Sequence, residues 1–76
     1  MPRYFFNVLS SEAEEIDVVG RHCPNDIAAL QEAMTAASDV VKRRLAGGSF
    51  CPAGTIEVED ERHRPVLSLP LRAAAY

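Results

Sequence analysis

The sequence predicts an α+β domain in which one four-stranded antiparallel sheet carries a single long helix on one face. Residues 25–48 combine a helix-start signal, apolar residues at every third or fourth position and two terminal glycines. Short segments on both sides of this stretch show the alternation typical of β-strands. Because a chain of 76 residues makes one domain, 1–76, the helix and strands must share one core. The predicted order is ββαββ.

The N-terminal segment predicts a hairpin. Residues 3–9 are rich in aromatic and β-branched side chains, and both sides of the strand they would form are partly apolar. We therefore expect this strand inside the sheet, with Phe5 and Leu9 available to a second layer or a partner chain. A second strand is predicted over residues 15–19, where the apolar pattern ends at Gly20.

The helix has clear ends. Asn25 is a good N-cap residue, Asp26 lies in the first turn, and Gly47 or Gly48 supplies the terminating glycine. Spacings of three and four place one set of apolar residues on a stripe that should be buried against the sheet. This set comprises Ile27, Leu30, Met34, Ala37, Val41 and Leu45.

The C-terminal segment predicts a second hairpin. Residues 55–59 alternate apolar and polar side chains, which indicates a half-buried strand. Residues 66–71 alternate in the same way, and a charged turn separates the two. Because Pro65 and Pro70 have no N–H to donate, we expect the last strand at an edge of the sheet. The tail, residues 72–76, is expected to add a helical turn or to fray.

Composition narrows the class of protein. With 47% hydrophobic and 25% charged residues the chain is an ordinary globular protein. A chain this short buries only about 60% of its unfolded surface, so we expect a homodimer that covers more. The net charge of −3 argues against nucleic-acid binding. The sequence shows neither an export signal nor an apolar run that would span a membrane, and a cytoplasmic location is the expectation.

Four segments resemble a family of short bacterial proteins of unknown function. The chain opens Met1-Pro-Arg-Tyr-Phe-Phe-Asn-Val8, continues with Asp17-Val-Val-Gly20 and Cys23-Pro-Asn25, and later carries Thr55-Ile-Glu-Val58. The resemblance covers nearly the whole chain, but its motifs are short and mark strands and turns, so it implies no activity. Where the family pattern has an aliphatic residue this chain has Cys23, which implies a packing role for that side chain.

The two cysteines are predicted to stay reduced. Cys23 precedes the helix and Cys51 follows it, and the helix is about 30 Å long. The residues between the helix end and Cys51 return at most about 14 Å of that length. The separation is therefore too large for a disulfide.

A metal or ligand site is an alternative prediction. The second hairpin should bring His63 near His22 and Cys23, and Asp26 or Glu61 would complete a set of zinc-ligand types. The spacing contains no C-x-x-C or H-x-x-x-H pair, so we expect loop histidines and no metal or cofactor. Zinc or small-ligand binding through His22, Cys23 and His63 stays an alternative.

Catalysis is not expected. Cys23 near a helix N-terminus has one feature of an activated thiol. Its neighbour His22 would point to the opposite face of an extended chain, so no base is in place. The glycines fit no phosphate-binding loop, and a single-helix domain rarely encloses a reaction pocket. We predict that the protein is not an enzyme.

The sequence therefore predicts a small noncatalytic interaction or regulatory module that self-associates through a sheet face or edge. An unidentified protein partner is compatible with the same surface. The residues expected at this interface are Phe5, Leu9, Leu67 and Leu69. A further alternative is weak nucleic-acid binding through Arg3, Arg62 and Arg64, although the adjacent aromatics are better explained by core packing and a dimer contact.

Overall fold

A computed structural model describes residues 1–10, 14–48 and 53–74 of the chain. The elements are β1 (Arg3–Leu9), β2 (Glu14–Glu15), β3 (Arg21–His22), α1 (Asp26–Ala46), β4 (Thr55–Glu59), β5 (Pro65–Pro70) and a 3-10 helix (Leu71–Ala74). The predicted α+β class with one long helix and an antiparallel sheet is confirmed. The described sheet has five strands rather than four, because two short strands, β2 and β3, replace the single second strand that was predicted.

The sheet has the order β2-β1-β4-β5, and β3 pairs with the opposite end of β1. Every pairing is antiparallel. As predicted, β1 lies inside the sheet because it has paired strands on both sides, and β5 lies at an edge because it is the last strand in the order. Val58 of β4 lies between Phe6 of β1 and Leu67 of β5. Directly opposed residues share a face, and Val58 and Ile56 are completely buried beneath the helix. This row marks the face that carries the core.

The predicted strand over residues 15–19 is wrong. Within residues 14–22, only Glu14–Glu15 and Arg21–His22 pair with β1, and the residues between them leave the sheet. Ile16, Val18 and Val19, whose apolar character suggested the strand, are exposed. The chain departs from the strand because Gly20 has a φ of 75° and because the Asp17 side chain occupies the position where a strand would pair.

The helix has the predicted ends. The side chain of Asn25 accepts a hydrogen bond of 2.9 Å from the amide of Ala28, which satisfies one free donor of the first turn. At the other end the amide of Gly47 donates to the carbonyl of Arg43 at 3.1 Å. Both hydrogen bonds form within one turn of the helix, so the helix ends can be predicted without the tertiary fold.

The predicted buried stripe of the helix is only partly right. The residues that α1 buries are Ala29, Ala33, Ala37, Val40 and Val41. Four predicted core residues are instead exposed: Ile27 by 69%, Leu30 by 38%, Met34 by 52% and Leu45 by 54%. The helix is thus turned by roughly a quarter of a revolution from the predicted orientation. Small alanines let its backbone approach the branched side chains of β4 closely, and those branched side chains fill the layer.

The helix packs mainly over β4, β5 and the 3-10 helix. Leu71, in the 3-10 helix, is completely buried, and its amide donates to the carbonyl of Gly54 at 3.0 Å. The 3-10 helix supplies a helical turn as one of the two predicted alternatives, whereas Leu71, predicted as the end of the last strand, belongs to this turn and to the core. Because the helix lies toward this side, the part of the sheet around β1 is less covered. Within the described residues, no helix has the length and apolar character required to cross a membrane.

Candidate functional site

One exposed apolar surface is a strip along α1, and a second consists of Ile16, Val18 and Val19 in the turn between β2 and β3. We call the exposed residues Ile27, Leu30, Met34 and Leu45 the helix stripe. They line the flank of α1 next to its alanine face, and the half-buried Ser38 lies among them. Large exposed apolar side chains aligned along one flank of a helix are typical of a contact site. The stripe is also balanced about the middle of the helix, because Ile27 and Leu45 each lie nine residues from position 36.

Charge is distributed unequally along the same helix. Asp26 lies in the first turn, and its Oδ1 accepts a 2.7 Å hydrogen bond from the hydroxyl of Tyr4. That hydrogen bond is the main reason why the pKa of Tyr4 rises from 10.0 to about 12. Lys42 and Arg43 are exposed near the other end, where cations also interact favourably with the helix dipole. The two ends of α1 therefore have opposite charge.

The turn between β2 and β3 is built on one carboxylate. Asp17 accepts hydrogen bonds from the amides of Phe6 at 3.1 Å, Val19 at 3.0 Å and Gly20 at 3.0 Å. Its own amide donates to the side chain of Asn7 at 2.9 Å. Asp17 thus supplies to β1 the acceptor that a continuous edge strand would have supplied. Burial raises the pKa of this carboxyl, but the three N–H donors together with Arg21 outweigh burial and lower it overall.

The turn between β4 and β5 is held in a similar way. Asp60 accepts from the amides of Arg62 and Arg64 at 2.8 and 3.0 Å and from Arg64 Nε at 3.2 Å. The amide of Arg64 and these other donors lower the pKa of Asp60. His63 has a φ of 59°, and its ring stacks on Phe5 with the centroids 4.7 Å apart. The hydrogen bonds to Asp60 and the stacking of His63 on Phe5 therefore fix the conformation of the turn between β4 and β5.

Both edges of the described sheet are protected against pairing with another strand. At one edge, β5 begins with Pro65 and ends with Pro70, neither of which has an N–H to donate. At the other edge, β2 and β3 are two residues long each and are separated by the Asp17 turn. Short, interrupted or proline-bearing edges are a common defence against strand addition. Both edges therefore offer few free backbone groups for the addition of another strand.

A cleft of about 780 Å³ lies between α1 and the β1 side of the sheet. Its apolar floor includes Phe6, Val8 and Val40, and its walls carry acidic and basic side chains from both elements. Arg21 bridges the two walls, because its Nη1 donates to Glu32 Oε2 at 2.6 Å. The cleft is a direct result of the position of the helix over β4 and β5. None of the three predicted metal ligands lines it.

The predicted metal ligands have other contacts. His22 Nδ1 lies 3.1 Å from the carbonyl of Met1, and His22 Nε2 lies 3.3 Å from the guanidinium of Arg3. His63 packs on an aromatic ring, while Cys23 is 3% exposed in the core. In the described ranges, no three or more histidine, cysteine or acidic side chains come together in a group suited to a metal ion.

Cys23 has the packing role that the resemblance implied. The thiol belongs to the hydrophobic core, and burial, followed by the charge of Glu32, raises its pKa. A thiol that stays protonated is a poor nucleophile, so helix proximity does not activate it. Cys51 lies outside the described residues, and the absence of a disulfide between the two stays a prediction.

The four residues predicted for the interface do not form one surface. Phe5 lies opposite Glu59 and Leu9 opposite Thr55, on the face away from the helix. Leu67 and Leu69 lie opposite buried residues of β4 and pack against the core on the helix side. The register therefore separates the two pairs across the sheet.

The cations predicted for nucleic-acid binding lie around the β4–β5 turn and the start of β1. Arg64 is engaged with Asp60, as described above, and the amide of Arg3 donates to Glu61 Oε1 at 2.8 Å. Arg62 is exposed. Acidic groups thus lie among these cations, which weakens the local positive potential that phosphate binding requires.

Sequence reasoning missed the helix stripe as a surface and Asp17 as a structural acceptor. Alanines at positions 29, 33 and 37 were a signal for the stripe, because small residues four apart indicate the face of closest approach. For Asp17 the signal was its position three residues before Gly20, because this spacing is typical of an aspartate whose side chain caps its own turn.

Comparison with known proteins adds a family and no activity. The family model described as "Domain of unknown function (DUF6894)" matches residues 3–72, which include every strand and the helix. Searches of curated proteins and of solved structures give no significant match. The function must therefore be inferred from the surfaces described above.

Proposed function

We propose that this chain, which belongs to the DUF6894 family, is a small noncatalytic interaction module that self-associates through the helix stripe. The observation that carries the proposal is the exposure of Ile27, Leu30, Met34 and Leu45 along one flank of the only long helix described. Four large apolar side chains in one row are unfavourable in water and gain free energy when a partner covers them.

The energy available from this surface suits a reversible contact. The exposed fractions of the stripe amount to about two full side chains, and burying one such side chain contributes about 1.5–3 kcal/mol. Two copies would therefore gain about 6–12 kcal/mol, against an association cost of about 4–15 kcal/mol. The net value corresponds to a Kd of about 1 μM or weaker.

The protected sheet edges favour the helix stripe over strand pairing as the surface of self-association. Pairing along β5 is hindered by Pro65 and Pro70, and pairing along the opposite edge is interrupted by the Asp17 turn. Phe5 on the far sheet face is already stacked on His63, which reduces the apolar area that it offers. The stripe has four large exposed apolar side chains, against three, Ile16, Val18 and Val19, in the turn at the β2–β3 edge.

The test is sedimentation equilibrium from about 1 μM to about 1 mM, the range expected for a weak dimer. Met34→Glu places a charge in the middle of the stripe, and Val18→Glu makes the same type of change at a residue 82% exposed elsewhere. We expect wild type and Val18→Glu to dimerise and Met34→Glu to stay monomeric. A monomeric wild type across the range, or equal loss in both variants, would overturn the proposal. Circular dichroism of both variants checks that they are folded.

A further inference from the structure

Resting on the proposed function, we infer that the partner is a second copy of this chain, whose helix packs antiparallel on α1 about a twofold axis near position 36. Such a contact uses the same surface on both copies. It brings Ile27 of one copy against Leu45 of the partner subunit, and Leu45 against Ile27 of the partner subunit. The single stripe therefore becomes two apolar clusters, one at each end of the helix pair.

The positions of the stripe residues fit this axis. In an antiparallel pair centred on position 36, Met34 faces Ser38 of the partner subunit, so a long side chain meets a short one near the axis. Alternation of large and small residues across a helix contact allows the backbones to approach closely. The 21 residues of α1 give a contact about 30 Å long, enough to include both end clusters.

Charge distinguishes this arrangement from a parallel one. A parallel pair also brings apolar residues together, but it places Lys42, Arg43 and Arg44 of both copies side by side and aligns the two helix dipoles. The antiparallel pair instead places the acidic first turn, with Asp26, beside the basic last turn of the partner. Opposite charges at both ends then favour the contact, and like charges disfavour the parallel alternative.

Lys42 provides a test by the sign of its effect. In the antiparallel pair Lys42 lies opposite Leu30 of the partner subunit, one helical turn from Asp26 of the partner subunit. Lys42→Glu therefore exchanges an attraction toward that acidic turn for a repulsion, and we expect the dimer Kd to rise about two- to fivefold. In a parallel pair the same change would relieve repulsion between the two basic ends and lower the Kd. A lower Kd for Lys42→Glu therefore overturns the inference, and the wild-type measurement in the same salt is the reference.

Cross-linking tests the register directly. Opposed positions of two packed helices have Cα atoms about 4–5 Å apart, within the range that a disulfide spans. We would introduce Ile27→Cys and Leu45→Cys separately in a Cys51→Ser background, and oxidise each variant alone and as a mixture. Val18→Cys in the same background measures random collision between exposed thiols.

The expected result is a disulfide between the Ile27→Cys and Leu45→Cys chains in the mixture, with each variant alone no better than Val18→Cys. Efficient homodimers of the separate variants would indicate a parallel pair and overturn this inference, while the proposed self-association would stand. A failure of all cross-links in protein that sediments as a dimer would also overturn the helix pairing. Failure of cross-links together with a monomeric wild type would overturn both proposals.

Discussion

Removal of the Asp17 carboxylate should weaken the whole domain, because this side chain replaces part of an edge strand. Asp17→Ala leaves the amides of Phe6, Val19 and Gly20 without their acceptor. The amide of Phe6 belongs to the interior strand β1, so the loss of its hydrogen bond to Asp17 affects the centre of the sheet as well as the turn. We therefore expect a global decrease in stability.

The size of the effect follows from the three hydrogen bonds. A hydrogen bond to a charged group contributes about 1.5–3 kcal/mol when it is shielded from water. Asp17 is half-buried, so water replaces part of what is lost, and we expect the free energy of unfolding to fall by about 2–3 kcal/mol. For a domain of this size that corresponds to a decrease in Tm of about 10–20 °C.

Thermal and urea unfolding at low protein concentration, below the expected dimer Kd, measure this change without a contribution from association. Glu15→Ala is the matched control, because it removes the same charge from an exposed residue of β2. Its stability should stay within about 0.5 kcal/mol of wild type. If Asp17→Ala were as stable as Glu15→Ala, Asp17 would not be the acceptor that closes the edge of the sheet.

The same carboxylate predicts a pH dependence. Since the folded state lowers the pKa of Asp17 below 3.8, its contribution is complete above that value and is lost as the pH falls through the folded pKa. Wild type should therefore lose stability below about pH 4, and Asp17→Ala should show a shallower loss over the same interval. An identical acid profile for the two proteins would contradict this reasoning.

Three further changes test the packing. Gly20→Ala places a Cβ 2.8 Å from the carbonyl oxygen of Tyr4, whereas Gly48→Ala, at a similar positive φ, meets nothing within 4 Å; urea unfolding should show the larger loss for Gly20→Ala. Ala33→Leu inserts bulk at a completely buried position and should lower the free energy of unfolding by about 1–3 kcal/mol or more, against little change for the exposed Met34→Leu. Phenolate absorbance should show one tyrosine titrating near pH 12, absent in Tyr4→Phe, with stability falling as the pH rises above 10.0.

The features that were predictable are those decided within a few residues of chain. The alternation in residues 3–9 and 55–59 indicated two strands, and both exist with those bounds. Asn25 and Gly47 act through bonds to their own helix, so the ends of α1 were readable as well. None of these signals depends on which elements lie next to each other in space.

The features that were not predictable depend on tertiary packing. The rotation of α1 is set by the close approach of Ala29 and Ala33 to the sheet, and hydrophobicity alone ranks these alanines below Ile27 and Met34. The prediction of an edge strand over residues 15–19 was wrong because the side chain of Asp17 accepts the hydrogen bond that a backbone carbonyl of that strand would accept. In the turn and in the helix, the large apolar residues that were predicted to be buried are therefore exposed. Those of the helix form the proposed contact surface.

Intermolecular nuclear Overhauser effects in a mixture of isotope-labelled and unlabelled protein show which side chains touch across the dimer, and therefore whether the helix stripe forms the interface. We expect contacts from the methyl groups of Ile27 to Leu45 of the partner subunit and from Met34 to the Ser38 region of the partner subunit. Contacts that come from Phe5 and Leu9 instead, with none from the helix, would contradict it and move the interface to the far face of the sheet.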